Sequence, residues 1–455
     1  MRRSAYANLV LALVFTLLFA ACGGGSKTPV TQSGQMFVNI SDAPLPSVLD
    51  FQITINSMTV TDGTNTATLI STPTSLELTR LLGLRTLLAL NEVAPSTYTS
   101  ATVTVSSPVI TYLNTGASPA SVVMMNGTLT SSTFTIPINP GLVINNAGVG
   151  GLHLHFALAQ SLAVDSSGQI TGQVNPTFTL RGFNDSGDPD WEVDEFLGTV
   201  SSVNVPSNNF VFTRPDGRNF TIDTDSNTIF DGNGISGLSN LAANMVVNVS
   251  GKVQADGSIL ADEVEVLSLT KSYMGGLILD VNPTSGSASN LTVLVREEIP
   301  TQSTIPIYQP AQVNLSSNTT YHIRHVPLAI SSWVFNSGLM VTGQRIGFAG
   351  DVDATNSTQF DASNVTLRWQ GHDGQVVASS IDTTNGTFMF NANGLLGYVF
   401  ASPVKVYTFP GTQWIGGLTS INDLTNSQNV RVVGLVLKDP NTNAPVILAV
   451  RVRAL

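Results

Sequence analysis

From residue 196 onward, one order of short alternating segments comes round three times. In the first copy Gly198-Thr199-Val200 opens a strand, and Phe210-Val211-Phe212 follows a Ser-Asn-Asn turn. Pro215-Asp216-Gly217 then turns the chain into Phe220-Thr221-Ile222. Thr228-Ile229-Phe230 leads to a polar loop and Leu241, Val246 to Gly251 is the long run, and Asp256-Gly257 turns into Ala261-Asp262-Glu263-Val264. The second copy offers Leu291 to Val295, Val313 to Leu315, Thr319-Thr320-Tyr321, Leu339 to Gly343 as its long run, and Asp361 to Val365, with insertions at 299–310 and 348–353. The third offers Gln375-Val376-Val377, Phe388-Met389-Phe390, Val404-Lys405-Val406, Thr412-Gln413-Trp414, Val430 to Gly434 and Ala449 to Val452. Short strands broken by turn signals at roughly 8–12-residue spacing point to an all-β fold of small closed or half-closed barrels. Closure removes open sheet edges, which this chain has few charges to protect. The glycines that end the long runs (Gly251, Gly343, Gly434) suit a barrel corner. Roughly 70–95 residues per copy lets each fold as a separate bead, with no shared solenoid core.

The copies resemble domain-of-unknown-function family 5666, a repeat of bacterial exported proteins. That resemblance implies an OB-like barrel and brings no activity with it. Residues 35–183 read as a β-sandwich. Met36 to Ile40 and Phe51 to Ile55 alternate, and a turn at Pro95, then Tyr98, leads into the strand Ala101 to Val105. The leucines between Leu76 and Ala89 fall near helical spacing and predict a short helix. Val38 to Pro44, Pro95 to Val105 and Leu152 to Leu158 together resemble domain-of-unknown-function family 4382, an N-terminal domain of bacterial lipoproteins. That resemblance implies a prealbumin-like or carbohydrate-binding-like sandwich.

The N-terminus supplies the address. Arg2 and Arg3 precede an apolar run from Leu9 to Phe19, and Ala20-Ala21-Cys22 follows, holding the chain's one cysteine. The run is a secretory leader by composition and is shorter than the roughly 20 residues of a spanning helix. Its small-small-Cys end resembles the lipobox of bacterial lipoproteins, which implies cleavage before Cys22 and acylation of its thiol. Gly23 after the cysteine, by the same resemblance, implies the outer membrane. A thiol so used leaves no disulfide, and stability falls to apolar cores. The divisions expected are a leader at 1–21, a flexible linker at 22–34, the sandwich at 35–183, an acidic linker at 184–195, and barrels at 196–269, 270–371 and 372–455.

Charge excludes one class of partner. The formal net charge is −11, and nucleic acid demands basic surface. No G-x-S-x-G elbow, P-loop or triad order is present, and five histidines are scattered along the chain. His153 and His155 stand two apart on an expected strand, which puts both rings on one face, where they can ligate Zn²⁺ or Cu²⁺. No third ligand is evident, and a pair of half-exposed strand histidines is the plainer reading. Asp185, Asp188, Asp190, Asp194 and Glu195 offer hard oxygens to Ca²⁺, off the EF-hand spacing, and a solvated acidic linker is plainer. Trp191, Trp333, Trp369 and Trp414 are candidates to stack sugars. Most read as core, with Trp191 the one expected to be exposed. The expectation is a lipid-anchored envelope protein without cofactor or catalysis that contacts glycan or envelope protein. The alternative is a polysaccharide hydrolase with an unrecognised carboxylate site. Radiolabelled fatty acid should enter the wild-type chain and not a Cys22→Ser variant; equal labelling of both would remove the anchor.

Overall fold

A computed structural model describes residues 33–455, other than Pro44, Pro119, Ser167, Lys271, Ser285, residues 300–303, Leu328, Ala329, Ser331, Ala401 and Ser402. The leader, Cys22 and the linker as far as Gln32 lie outside the described residues.

The all-β reading holds. Three sheets of the same connectivity follow one another. The first runs through Glu192–Asn204, Asn209–Thr213, Asn219–Asp223, Ile229–Asp231, Val246–Val253 and Ile259–Ser268. The second begins at Ser272–Asn282 and ends at Gln359–Leu367; the third begins at Gln370–Val376 and ends at Pro445–Ala454. In each, the third strand closes in parallel onto the sixth and makes a five-stranded barrel, with the short fourth strand added outside it. The recurring threonine now has a reason. Thr228, Thr319 and Thr412 each donate their hydroxyl to an alanine carbonyl on the last strand: Ala261 at 2.7 Å, Ala362 at 2.8 Å and Ala449 at 2.7 Å. Each hydroxyl also accepts from a backbone N–H three residues upstream, at 2.9 Å every time. A glycine is forced where the long fifth strand shifts register against the last. A Cβ at Gly251, Gly350 or Gly434 would lie 2.2, 2.0 or 2.1 Å from a carbonyl oxygen of that strand. In the second barrel the glycine is Gly350 and the long strand is Arg345–Val352. The expected Leu339–Gly343 strand is instead a 3₁₀ turn, Ser337–Leu339, and the loop after it. Residues 348–352 are therefore strand, not insertion.

The N-terminal region is a sandwich. An inner sheet of Gly34–Ala43, Thr86–Val93, Val149–Ala157 and Phe178–Phe183 packs on an outer sheet built around Val48–Thr61 and the 19-residue strand Ser96–Asn114. Tyr98 is buried and donates to the carbonyl of Ala94, tying the corner into that long strand. The inner sheet is covered on both faces. Met36, Val38 and Ile40 face the sandwich core, while Phe37 and Phe183 meet Trp191 with ring centroids 5.2 and 6.0 Å away. Trp191 is 6% exposed and donates its indole N–H to Val253 of the first barrel. The expectation of an exposed tryptophan fails, because Asp188 caps a 3₁₀ turn, Pro189–Trp191, that tucks the ring under the barrel. The acidic stretch is likewise no solvated tether at its end: Glu192 opens a strand, and Asp194 and Glu195 are buried.

The predicted helix at 76–89 is also absent. The chain makes a short strand, Thr74–Glu77, a 3₁₀ turn, Thr79–Leu81, and the strand Thr86–Val93. Between them, residues 82–85 plug the space where sandwich and barrels meet. A Cβ on Gly371 would lie 2.0 Å from the carbonyl of Leu82, and one on Gly83 would lie 2.6 Å from Val433. Leu84 belongs to a core shared by the second and third barrels, with Met274, Phe348, Val433 and Leu448. Helical spacing misled here because the leucines point into different cores on either side of a plug, not down one helix face.

Ser33–Leu455 is accordingly one compact unit, and the barrels are not beads. At its centre Glu195 of the first barrel is wholly buried. It accepts from Arg324 at 2.6 Å, Arg368 at 3.0 Å and Arg345 at 3.1 Å, with Arg80 of the plug segment at 3.8 Å. Arg368 also pairs with Glu265, and Arg324 with Glu263 at 3.3 Å while lying 4.1 Å over the Trp369 ring. Burial alone would raise the Glu195 pKa; the arginines outweigh it and hold the carboxyl well below its usual range. Replacing Glu195 by Ala takes a shared carboxylate from three buried guanidinium groups and should cost about 3–5 kcal/mol in urea unfolding. A loss under about 1 kcal/mol would mean that the network contributes little to stability.

Candidate functional site

The inner sheet's second face changes character along its length. Near Phe37 and Phe183 it is aromatic and packs on the first barrel. Further on it turns polar and faces the third barrel across a cleft of about 530 Å³. That volume falls in the roughly 300–1,000 Å³ range of small-ligand sites. Pairing aligns the polar face: Asn39 lies beside His153, Ser41 beside His155, and His153 opposite Arg181. Strand period two keeps all of them on one side. The opposite wall is the third barrel, with Ile415, Arg431, Val433, Arg451 and Arg453; Gly83 to Arg85 of the plug form the floor.

Asn39, His153, Ser41 and His155 form a hydrogen-bonded row. His153 Nδ1 lies 3.0 Å from Asn39 Oδ1 and its Nε2 lies 2.9 Å from Ser41 Oγ; His155 Nδ1 lies 3.3 Å from the same hydroxyl. Asn39 donates its amide N–H to the carbonyl of Asp190, so its oxygen must accept. The His153 proton therefore sits on Nδ1, and Ser41 donates to Nε2. Burial pushes the His153 pKa down to about 4, and burial together with Arg431 and Arg453 lowers that of His155. Asp190 stands 3.6 Å from His153, but with the imidazole neutral near pH 7 this contact is not an ion pair. Burial would raise Asp190; His153, Arg85 and Arg181 outweigh it and bring its pKa to about 2.

Of the candidate metal ligands, the fold brings His153, His155, Asp188 and Asp190 to one cleft and leaves Asp185 in an exposed turn, accepting from Gly187 N–H. Asp188 is held by both terminal nitrogens of Arg181 at 2.7 Å, and Asp190 by Arg181 and by Arg85 at 2.8 Å. Asp194 faces Arg451 at 3.2 Å, and Glu195 belongs to the central network. Asp188, Asp190, Asp194 and Glu195 thus face arginines and do not converge on a common point with Asp185. Among the described residues no group of three or more His, Cys, Asp or Glu is arranged to hold a metal ion. Trp369 is core, and Trp333 and Trp414 are half-buried, Trp333 against Tyr407 with centroids 5.3 Å apart.

The arginines were missed in the sequence. Arg85, Arg181, Arg431, Arg451 and Arg453 are scattered over 369 positions, and only tertiary packing lines one cleft with them. Four are matched. Arg431 grips Asp373 through two bonds of 2.7 and 2.9 Å, and Arg451 meets Asp194 and the carbonyl of Gly83. Among the described residues the Arg453 side chain makes no hydrogen bond or ion pair, and it stands directly opposite Arg431 on the neighbouring strand. Like charges so placed repel. Partial burial, then Arg431 and Arg85, lower its pKa. The alternating run Ala449 to Val452, continued to Arg453, was the one available signal, because it put Arg451 and Arg453 on the same face.

Another close pair of acids is structural. Asp50 is wholly buried, and its carboxyl is pushed well above the usual range by burial and by Glu77. Glu77 accepts from the backbone N–H groups of Thr79 and Arg80 and so fixes the turn that starts the plug.

The family model described as "Domain of unknown function (DUF5666)" matches residues 198–265, which lie within the first barrel. No curated protein matches the chain.

The cleft is acid-sensitive in a defined direction. An unfolded histidine protonates near pH 6.5, whereas folded His153 stays neutral to about 4. Between these values the unfolded chain binds more protons, so stability falls as pH drops from about 6.5 toward 4. Buried His372, also brought to about 4, adds the same sign. His322, lowered by burial but raised further by Asp231, has the opposite sign. An imidazole NMR titration should show His153 still neutral at pH 5.5 and His322 titrating above its ordinary value. A His153 midpoint at 6.5 would mean the ring is solvated, contrary to the packing.

Proposed function

We propose that this chain is a lipid-anchored cell-envelope protein, held at the outer membrane through Cys22, that binds a glycan or an envelope protein and does not cleave it. The observation that carries the non-catalytic part is the state of the acids and bases in the cleft. Acid–base catalysis needs a group whose pKa lies near the working pH. Here Asp188 and Asp190 are locked in arginine pairs and pushed down, and His153 is depressed to about 4. The anchor, the compartment and the resemblance of residues 35–183 to family 4382 rest on the sequence alone.

A second reading has one observation in its favour. Ser41, His153 and Asn39 stand in the relation of a hydroxyl nucleophile, its base and the group that orients the base. Against it, Ser41 is buried near the end of a strand, paired with His155 on one side and flanked by Ile40 and Asp42, which pair with Thr86 and Leu82 on the other, so the neighbouring backbone groups serve the sheet. A fluorophosphonate probe should leave Ser41 unlabelled, and a nitrophenyl ester should not be turned over above background. Labelling at Ser41 that disappears in His153→Ala would replace the binding reading with a serine hydrolase.

A further inference from the structure

We infer that the cleft between the inner sheet and the third barrel binds a small anionic sugar, with Arg453 as the residue that takes its oxyanion. This rests on the binding reading above and names the ligand class for that site.

The repeat supplies the argument. The threonine-to-alanine hydrogen bond aligns the last strands of the barrels at Ala261, Ala362 and Ala449. Two and four residues on, the first barrel carries Glu263 and Glu265, the second Asn364 and Thr366, and the third Arg451 and Arg453. The parallel fourth strand confirms the equivalence: Asp231 pairs with Glu265, His322 with Thr366, and Ile415 with Arg453. In the first barrel this position is charged and answered, since Glu265 is buried against Arg368. In the third it is charged and unanswered. The neighbouring Asp190 is already taken by Arg85 and Arg181, and Asp373 by Arg431. Arg453 thus presents a free guanidinium into a cleft with four other arginines, in a chain whose net charge is −11. A guanidinium fork matches the two oxygens of a carboxylate or a phosphate.

The rest of the ligand follows from what surrounds that fork. The Thr179 hydroxyl and the Nε2 of His155, whose Nδ1 faces Ser41, offer hydrogen-bonding atoms suited to hydroxyl groups, while His153 and Ser41 serve each other and Asn39. Among the described residues no aromatic ring besides the histidines lines the cleft, so they give a neutral sugar no stacking platform there. Recognition is by charge and hydrogen bonds, which fits a sugar acid or a sugar phosphate. Both present the same oxyanion on a polyhydroxylated ring.

The test is calorimetric titration of the purified full chain with galacturonate, glucose 6-phosphate, inorganic phosphate and glucose. At least one sugar anion should bind ten-fold or more tighter than glucose and than inorganic phosphate; the tighter of the two identifies the oxyanion. Arg453→Gln should weaken that binding at least ten-fold, and Lys252→Gln, on the first barrel, should leave it unchanged. Because Arg453 repels Arg431, the melting temperature of Arg453→Gln should equal or exceed that of wild type, which separates a ligand contact from a structural one. Glucose or inorganic phosphate binding as tightly as the better sugar anion, or full affinity in Arg453→Gln, would each overturn the inference. If neither anion binds, the inference falls while the non-catalytic reading stands; that reading falls instead if the Ser41 probe labels.

Discussion

A carboxylate and its arginines sit where hydrophobic packing would ordinarily finish the molecule. Glu195 has no accessible surface, and its ionised form persists because Arg324, Arg345 and Arg368 converge on it. Taking such charges out of solvent costs several kcal/mol per ion, and only a complete set of partners offsets it. The partners come from different parts of the chain. The glutamates at 195, 263 and 265 belong to the first barrel, Arg324 and Arg345 to the second, Arg368 to the junction with the third, and Arg80 to the sandwich. Within this network no one part satisfies its own buried charges. The network thus makes the barrels and the sandwich interdependent, which their separate apolar cores would not do.

The same interdependence creates the cleft. The plug at residues 82–85 fits only because Gly371 has no side chain, and its backbone carbonyls bind the neighbours. Arg85 accepts from the N–H groups of Asp194 and Glu195, and Gly83 accepts from Arg451. The plug thereby sets how closely the third barrel approaches the inner sheet. The aromatic end of that sheet closes dry against the first barrel; the polar end stays open, floored by Arg85. The candidate site is a consequence of how the barrels are braced, and its histidines and its arginines other than Arg453 are held by contacts already needed for the fold.

The barrels also show how one frame carries different chemistry. Threonine hydroxyl, alanine carbonyl and tight glycine recur because they fix strand crossing and closure, which every copy needs. The outward positions of the last strand are free of that duty. They are acidic in the first barrel, where they enter the buried network, and basic in the third, where they line the cleft.

The strand-and-turn rhythm, the three barrels and the placing of both histidines on one face were legible in the chain, since period-two alternation and turn residues are local signals. So was the recurring threonine, although its purpose was not, because its partner alanine lies about 33–43 residues away. The leucines of 76–89 misread as a helix because spacing records which residues are apolar and not which core each one enters. Trp191 and the acids beside it read as a solvated linker because sequence shows charge without the arginines that meet it. Those arginines stand as far as 173 positions from Glu195 and as far as 257 from Asp194. Local order was thus fixed by neighbours along the chain. Which charges are buried, which are paired and which arginine of the described residues is left free was decided only by packing, since Coulomb interactions depend on distance in space.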